Sequence, residues 1–307
     1  MSTSTLAYPD RTARWISCVA DYMALTKLRI GMLVLVVVAV VAEVAAWGQL
    51  SPWLLCHLLA GTLLVSASAS SANQLRERHL DGRMPRTASR PLAAGRISPR
   101  AAFLFSLVTG VAGTSWLILE VNGLTAVLGI ACWLIYVVAY TPLKTRSPSN
   151  TLVGAIAGAF PVLMAWAATG ASWNPQLDVR WLALFMIVFL WQFPHFMAIA
   201  WLYREQYKQA GMKMWTVVDP SGRRPGVIAV LAALALLPVS FIPGLYWSAA
   251  AGSIYLLVAF TLGVGQLILS VRFFLSVNDR EARRLLWASL VYLPLLLASM
   301  IMIPLFF

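Results

Sequence analysis

Long apolar runs alternate with short polar stretches along most of the chain, and the runs are of similar length. Nine can be read, at residues 30–47, 53–72, 101–119, 124–140, 152–169, 181–201, 227–241, 247–271 and 286–306. Each lies near the ~20 residues that a helix needs to cross the hydrocarbon core of a bilayer. Backbone N–H and C=O groups in lipid must pair internally, which favours helices. The pattern therefore predicts an all-α, polytopic membrane protein with nine transmembrane helices. The seventh run is the shortest and stops at Pro243-Gly244, and only Glu120, Asn122 and Gly123 separate the third from the fourth.

The basic residues test that count. With nine spans, the N-terminus and the loops after spans two, four, six and eight share one side. Of the 23 Lys and Arg residues, all but Arg180 fall on that side. The positive-inside rule then predicts a cytoplasmic N-terminus and an external C-terminus. A missed or invented span would scramble the partition. Residues 1–22 are polar and basic, with no compact apolar stretch and no small-residue cleavage site, so no removable signal peptide is expected. The expected division is an N-terminal cytoplasmic segment, 1–26, followed by a membrane domain, 27–307.

Composition agrees. Sixty per cent of residues are hydrophobic and 11% charged, against roughly half and a quarter in soluble domains, which excludes an ordinary soluble enzyme. A formal charge of +12 invites a nucleic-acid reading, but the charges sit in short blocks between apolar runs, so the bilayer and not nucleic acid is the expected partner. Cys18, Cys56 and Cys132 are far apart and have no metal-ligand spacing. The long loops at 73–100 and 203–225 hold most of the polar chemistry, which suggests a site opening to that face.

Three constellations carry chemistry. Asn73, Glu77 and Asp81 recur every fourth residue, so on a continuing helix they share a face, and such oxygen ligands can hold Mg²⁺ bridged to phosphate. Arg76, Arg78 and Arg83 lie among them as possible phosphate partners. Equally, this is a solvated helix end whose acids neutralise neighbouring arginines. Tyr140 and Lys144 end the fourth run, where Lys144 is a phosphate point charge or, if Pro142 ends the helix, a headgroup anchor. His195 lies inside the sixth run, where a polar side chain needs a partner or a cavity. It can ligate iron, steer a proton or bond a neighbouring helix, and Pro194 is expected to interrupt that helix.

At these residues the chain resembles the protohaem IX farnesyltransferases (haem O synthases) of the UbiA-type intramembrane prenyltransferases. The similarity runs from Leu25-Thr26-Lys27-Leu28-Arg29 through Asn73…Asp81-Gly82-Arg83-Met84…Arg86-Thr87…Arg90-Pro91-Leu92 and Tyr140-Thr141-Pro142-Leu143-Lys144. It continues through Pro194-His195-Phe196, Arg204-Glu205…Tyr207…Ala210-Gly211 and Tyr292-Leu293-Pro294-Leu295. Two positions depart from the family pattern: Glu77 stands where Asp is usual, and Glu205-Gln206-Tyr207 where Glu-Asp-Tyr is usual.

The resemblance implies a nine-helix bundle around a central cavity in a bacterial inner membrane, transferring a farnesyl group from farnesyl diphosphate to a vinyl group of haem B to give haem O. It implies Mg²⁺ held by Asn73, Glu77, Asp81 and Glu205, with Tyr140 and Lys144 also catalytic. Arg78, Arg83, Arg90, Arg204, Tyr207, Lys208 and His195 are the implied substrate-binding residues, with His195 toward haem. Haem A synthase or terminal-oxidase assembly factors are possible partners. The competing readings are the same chemistry on a quinone precursor or chlorin, and a haem carrier or transporter without turnover.

Overall fold

The computed structural model describes residues 11–306, and side-chain environments from Trp15. Residues 1–10, and with them the first part of the 1–22 segment expected to lack a leader, lie outside it, as do the side chains of Arg11 and Arg14. The described residues are helical almost throughout. An amphipathic helix α1 (Arg11–Leu25) precedes α2 (Leu28–Ala45), α3 (Pro52–Asp81), α4 (Pro99–Glu120) and α5 (Gly123–Leu134). A π-helical segment (Ile135–Tyr140) runs into the short α6 (Thr141–Leu143) and continues the fourth span. Then follow α7 (Asn150–Ala168), α8 (Arg180–Leu202), the short α9 (Arg204–Gln209) and α10 (Trp215–Val218), and α11 (Arg223–Val239). A 3₁₀ turn (Ile242–Tyr246), α12 (Ala249–Leu275) and α13 (Asp279–Phe306) complete the chain. Among these, nine helices are long and apolar enough to cross a membrane, one for each expected run.

Local chemistry sets the boundaries. Ser98 and Asn122 cap α4 and α5, accepting from the N–H of Ala101 (3.2 Å) and of Thr125 (2.8 Å), and prolines occupy the first turns of α3 and α4. Small residues set the helix spacing. A Cβ on Gly113 would meet the Leu64 Cβ and the Val65 nitrogen at 2.8 Å, and one on Gly61 would meet Leu117 at 2.5 Å. Further along the α3–α4 pair Ser68 donates to the Ser106 carbonyl (2.7 Å) and Ser106 donates back to that of Ser68 (2.9 Å). Without a hydrophobic drive between helices in lipid, such close packing and hydrogen bonding hold the pair. The helix α7 forms the centre, with 67% of its apolar window buried, whereas the fourth span, at 22%, faces lipid.

One element is additional to the expected runs, and two expectations are corrected. Residues 11–25 form a helix, because Trp15, Ile16, Val19 and Met23 recur on one exposed face while Leu25 is buried. Its C-terminal end is tied to the bundle: Asp21 pairs with Arg96 (3.0 Å), and Gln74 donates to the carbonyls of Ala24 (3.1 Å) and Leu25 (2.9 Å). The fourth span does not end at Tyr140 but continues to Leu143. Pro194 does not interrupt α8, which runs from Arg180 to Leu202 and is tied to α7 nearby by the Gln192 amide, which donates to Ala155 O (3.0 Å).

Candidate active site

Helix α3 continues unbroken to Asp81, so Asn73, Glu77 and Asp81 stack on one face, all three buried at 0, 3 and 2% exposure. Burial of acids demands partners, and each oxygen-bearing group meets a different cation. Lys27 Nζ donates to Asn73 Oδ1 (2.5 Å), Lys144 Nζ lies 2.6 Å from Glu77 Oε1, and Arg90 Nη1 reaches both Asp81 oxygens at 2.8 Å. Each cation comes from a different part of the chain. Lys27 sits in the left-handed turn between α1 and α2 (φ 51°), Lys144 just beyond α6, and Arg90 in the loop after α3.

All of these groups except Asn73 line a pocket of about 80 Å³, together with Arg86, Thr87, Tyr140, Tyr207 and three methionines. Burial, with Lys144 and Arg90 nearby, outweighs the attraction of Glu77 and Asp81 and pulls the Lys27 ammonium down to about 7. Burial also works against the charge on Lys144, but Glu77 and the neighbouring phenols outweigh it and hold that ammonium above its usual value. Burial raises the Tyr207 phenol, against the pull of Arg86.

Beneath the pocket lies an apolar chamber of about 260 Å³ between α2, α3, α5, α7 and α8. The two cavities meet at Lys27 and Tyr140, which line both. The π-helical turn brings Tyr136 and Tyr140 into a stack, with centroids 5.4 Å apart, and places the Tyr140 ring under the Lys144 ammonium at 4.6 Å. Gly154 makes room, since a Cβ there would meet the Tyr140 ring at 2.7 Å.

The other expected residues distribute unevenly. Arg78 donates to the Leu75 carbonyl (2.8 Å), and Arg83 and Lys208 are exposed; none lines the pocket. Arg204 faces away from it, pairing with Asp279 (2.9 Å) and covering the Trp201 ring (4.4 Å). Glu205 is exposed on α9 and does not join Glu77 and Asp81; among the described residues no three His, Cys, Asp or Glu side chains gather as a metal cluster. Its position in the first turn of a short surface helix is the reason. Tyr207, on the same helix, does reach the pocket and meets Arg86 Nη2 at 3.5 Å. Lys27, Arg86 and Thr87 are pocket residues that motif reading did not select. All three stand in stretches that carry the family resemblance, but Lys27 and Arg86 otherwise look like the span-flanking basic residues that serve as headgroup anchors in many membrane proteins.

His195 lies on α8 between two chamber-lining residues, Gln192 and Phe196, and stacks on Trp191 with centroids 5.2 Å apart. Its Nδ1 is 2.9 Å from Ser289 Oγ, whose proton is given to the Leu286 carbonyl (2.6 Å). Nδ1 must then carry the proton of this contact, which leaves the Nε2 lone pair available.

The pattern of the UbiA prenyltransferase family matches residues 33–298. The chain is 42% identical over 282 residues to the Protoheme IX farnesyltransferase of Rhodopirellula baltica, covering 90% of this chain and 97% of that one. It is 36% identical over 248 residues to the mitochondrial Protoheme IX farnesyltransferase of Arabidopsis thaliana, covering 81% and 56%. Its fold is similar to that in a structural study of digeranylgeranylglyceryl phosphate synthase (TM-score 0.78, 13% identity, 94% of this chain and 99% of that one). It is also similar to a UbiA homologue of Archaeoglobus fulgidus bound to GPP and Mg²⁺ (TM-score 0.65, 16% identity, 92% and 99%).

Proposed function

Because the chain belongs to the UbiA prenyltransferase family, an integral membrane family, we propose that it transfers the farnesyl group of farnesyl diphosphate to a vinyl group of haem B, giving haem O. The observation that carries this reading is the junction at Lys27 and Tyr140, where a cation-rich polar pocket opens into an apolar chamber. A prenyl diphosphate has the same division, a charged head and an apolar tail. The gathering of basic residues on one side supports a pocket open to the cytoplasmic face, and the family resemblance supports a bacterial inner membrane as its location.

The donor set fits Mg²⁺ arriving with the diphosphate. Two carboxylates and one amide are too few to complete the shell of a hard cation, which commonly takes its remaining oxygens from water and substrate phosphate. Asn73, Glu77 and Asp81 would hold the ion, which supplies Lewis-acid stabilisation of the leaving diphosphate. The cations now paired with these side chains are the natural partners of the phosphate oxygens: Lys27 would turn from the Asn73 amide, and Lys144 and Arg90 from their carboxylates, to substrate, with Arg86 beside them.

In the reaction the allylic C–O bond breaks and its electron pair leaves with the diphosphate. The vinyl π pair of haem then bonds to the allylic carbon. Water adds to the resulting cation and releases a proton to solvent, leaving a hydroxyethylfarnesyl side chain. Lys144 and Lys27 stabilise charge on the departing oxygens. Once Lys144 turns to phosphate, the Tyr140 face is free to shield the allylic cation. The chamber walls, including Pro161, Met164 and Phe196, keep water from that cation until haem reacts. His195, with Nε2 available, is assigned to haem orientation or axial ligation.

The test is direct. Membranes holding the wild-type protein, haem B, farnesyl diphosphate and Mg²⁺ should yield haem O by mass, and Asp81→Ala membranes should yield none. Full haem O formation by Asp81→Ala would refute the metal role. Diphosphate release with no prenylated haem would point instead to another acceptor.

A further inference from the structure

A groove of about 510 Å³ lies on the lipid side of α3, α4 and α5. Its outer rim is Phe103, Leu107 and Val111, which are 59, 50 and 59% exposed on a membrane-spanning helix and so face acyl chains. Gly110 keeps the groove deep, because a Cβ there would meet Ser68 Oγ at 2.7 Å. The groove has two lining residues in common with the apolar chamber, Val65 and Trp133.

Those two side chains are a partition between the reaction chamber and the bilayer. Trp133 Nε1 donates to Ser68 Oγ (3.0 Å), and Ser68 passes its own proton to the Ser106 carbonyl (2.7 Å). One hydrogen bond therefore holds the indole across the gap. The hydroxyls of Ser68 and Ser106 satisfy each other's backbones, so the floor between them is effectively apolar, and Arg76, Thr114 and Ser115 are the other polar residues that line the groove.

We propose that the far end of the donor's prenyl chain leaves the chamber between Val65 and Trp133 and lies in this groove. The inference rests on the prenyl diphosphate reading above and assigns a course to the tail. With the head held at Lys27 and Tyr140, the chain must run into the chamber. That chamber, about 260 Å³, is below the ~300–1,000 Å³ of ordinary ligand pockets and must also admit the vinyl edge of the acceptor. The groove supplies the missing apolar length, and Trp133 is the side wall past which the tail runs.

The experiment uses the full chain in membranes and a farnesyl diphosphate analogue carrying a terminal diazirine. After irradiation, peptide mapping should place adducts on α4 at Phe103, Leu107 or Val111, and excess farnesyl diphosphate should suppress them. Adducts confined to chamber residues such as Gly158 or Phe196 would overturn the proposal. So would α4 adducts that farnesyl diphosphate does not suppress, since these mark a groove filled by bilayer chains. As a second measure, Val111→Trp should lower kcat/KM for farnesyl diphosphate about tenfold relative to geranyl diphosphate, the scale of apolar-pocket discrimination. An unchanged ratio with haem still prenylated would sink this inference alone. Suppressible α4 adducts without any prenylated haem would remove the haem acceptor and leave the tail's course standing.

Discussion

Replacing Lys144 with Met leaves Glu77 buried at the end of α3 without the ammonium that now lies 2.6 Å from it. The side chains are only 14% and 4% exposed, so water screens the loss poorly. Removing one partner of a buried pair costs about 3–5 kcal/mol. Lys27, which also acts on Glu77, offsets part of this, so the lower end of that range, about 3 kcal/mol, applies. At about 2 °C per kcal/mol, Tm should fall by roughly 6 °C. Adding Glu77→Gln removes the stranded charge, and most of that loss should return, because replacing both partners of a buried pair is often nearly neutral.

Activity should behave differently. The double variant lacks one carboxylate proposed to hold Mg²⁺ and one cation proposed to meet the diphosphate. Loss of one preorganised transition-state donor alone costs about 10²–10³ in rate. Thermal unfolding in detergent, read beside diphosphate release from farnesyl diphosphate, separates the two effects. Three stability levels are expected, with the double variant between the Lys144→Met single variant and wild type, against activity near background in both variants. A double variant no more stable than Lys144→Met would refute the ion-pair energetics. One that turns over at wild-type rate would refute the role of these two charges.

Three further outcomes are expected. With the Lys27 ammonium lowered to about 7, its charged fraction falls as pH rises through that value, so farnesyl diphosphate affinity should weaken by up to about tenfold per pH unit above it. Equilibrium binding at a series of pH values should show this slope in wild type and a flatter one in Lys27→Met; identical slopes would exclude Lys27 as the titrating group. His195→Ala should weaken haem B binding about tenfold or more by spectral titration while farnesyl diphosphate binding changes little, and equal losses would contradict a haem role. On the opposite face, Arg180 is fully buried, bonded to Asp178 (2.7 Å) and to Val44 O (2.8 Å), and sits 3.5 Å over the Trp47 ring. Arg180→Met strands Asp178 and should cost about 3–5 kcal/mol in thermal unfolding, with turnover per folded molecule retained; loss of turnover well below Tm would show that the clamp also shapes the site.

Arg180 also illustrates what was legible. The charge partition marked it as the one basic residue off the loop-rich face, but not as a staple joining α2 and α8 within an aromatic cage. The three oxygen-bearing residues of α3 could be placed on one face from their spacing, since helical periodicity is local. Their partners could not. Lys27, Lys144 and Arg90 stand at sequence separations of 46, 67 and 9 residues from them, and no short-range pattern encodes that convergence. Glu205 is the converse case. A motif position implied a ligand, yet the short α9 presents Tyr207 to the pocket and leaves Glu205 at the surface.

The number and apolar character of the spans, the side on which the basic loops gather and the shared face of Asn73, Glu77 and Asp81 on α3 follow from the order of residues alone. Bilayer thickness and helical pitch are properties that a single segment must satisfy by itself. Which cation meets which acid, where the polar pocket joins the apolar chamber, and how Trp133 divides that chamber from the groove were decided only when the helices packed. Those features depend on close approach at glycines and serines between segments distant in sequence, and on buried charges that must find partners wherever the bundle supplies them.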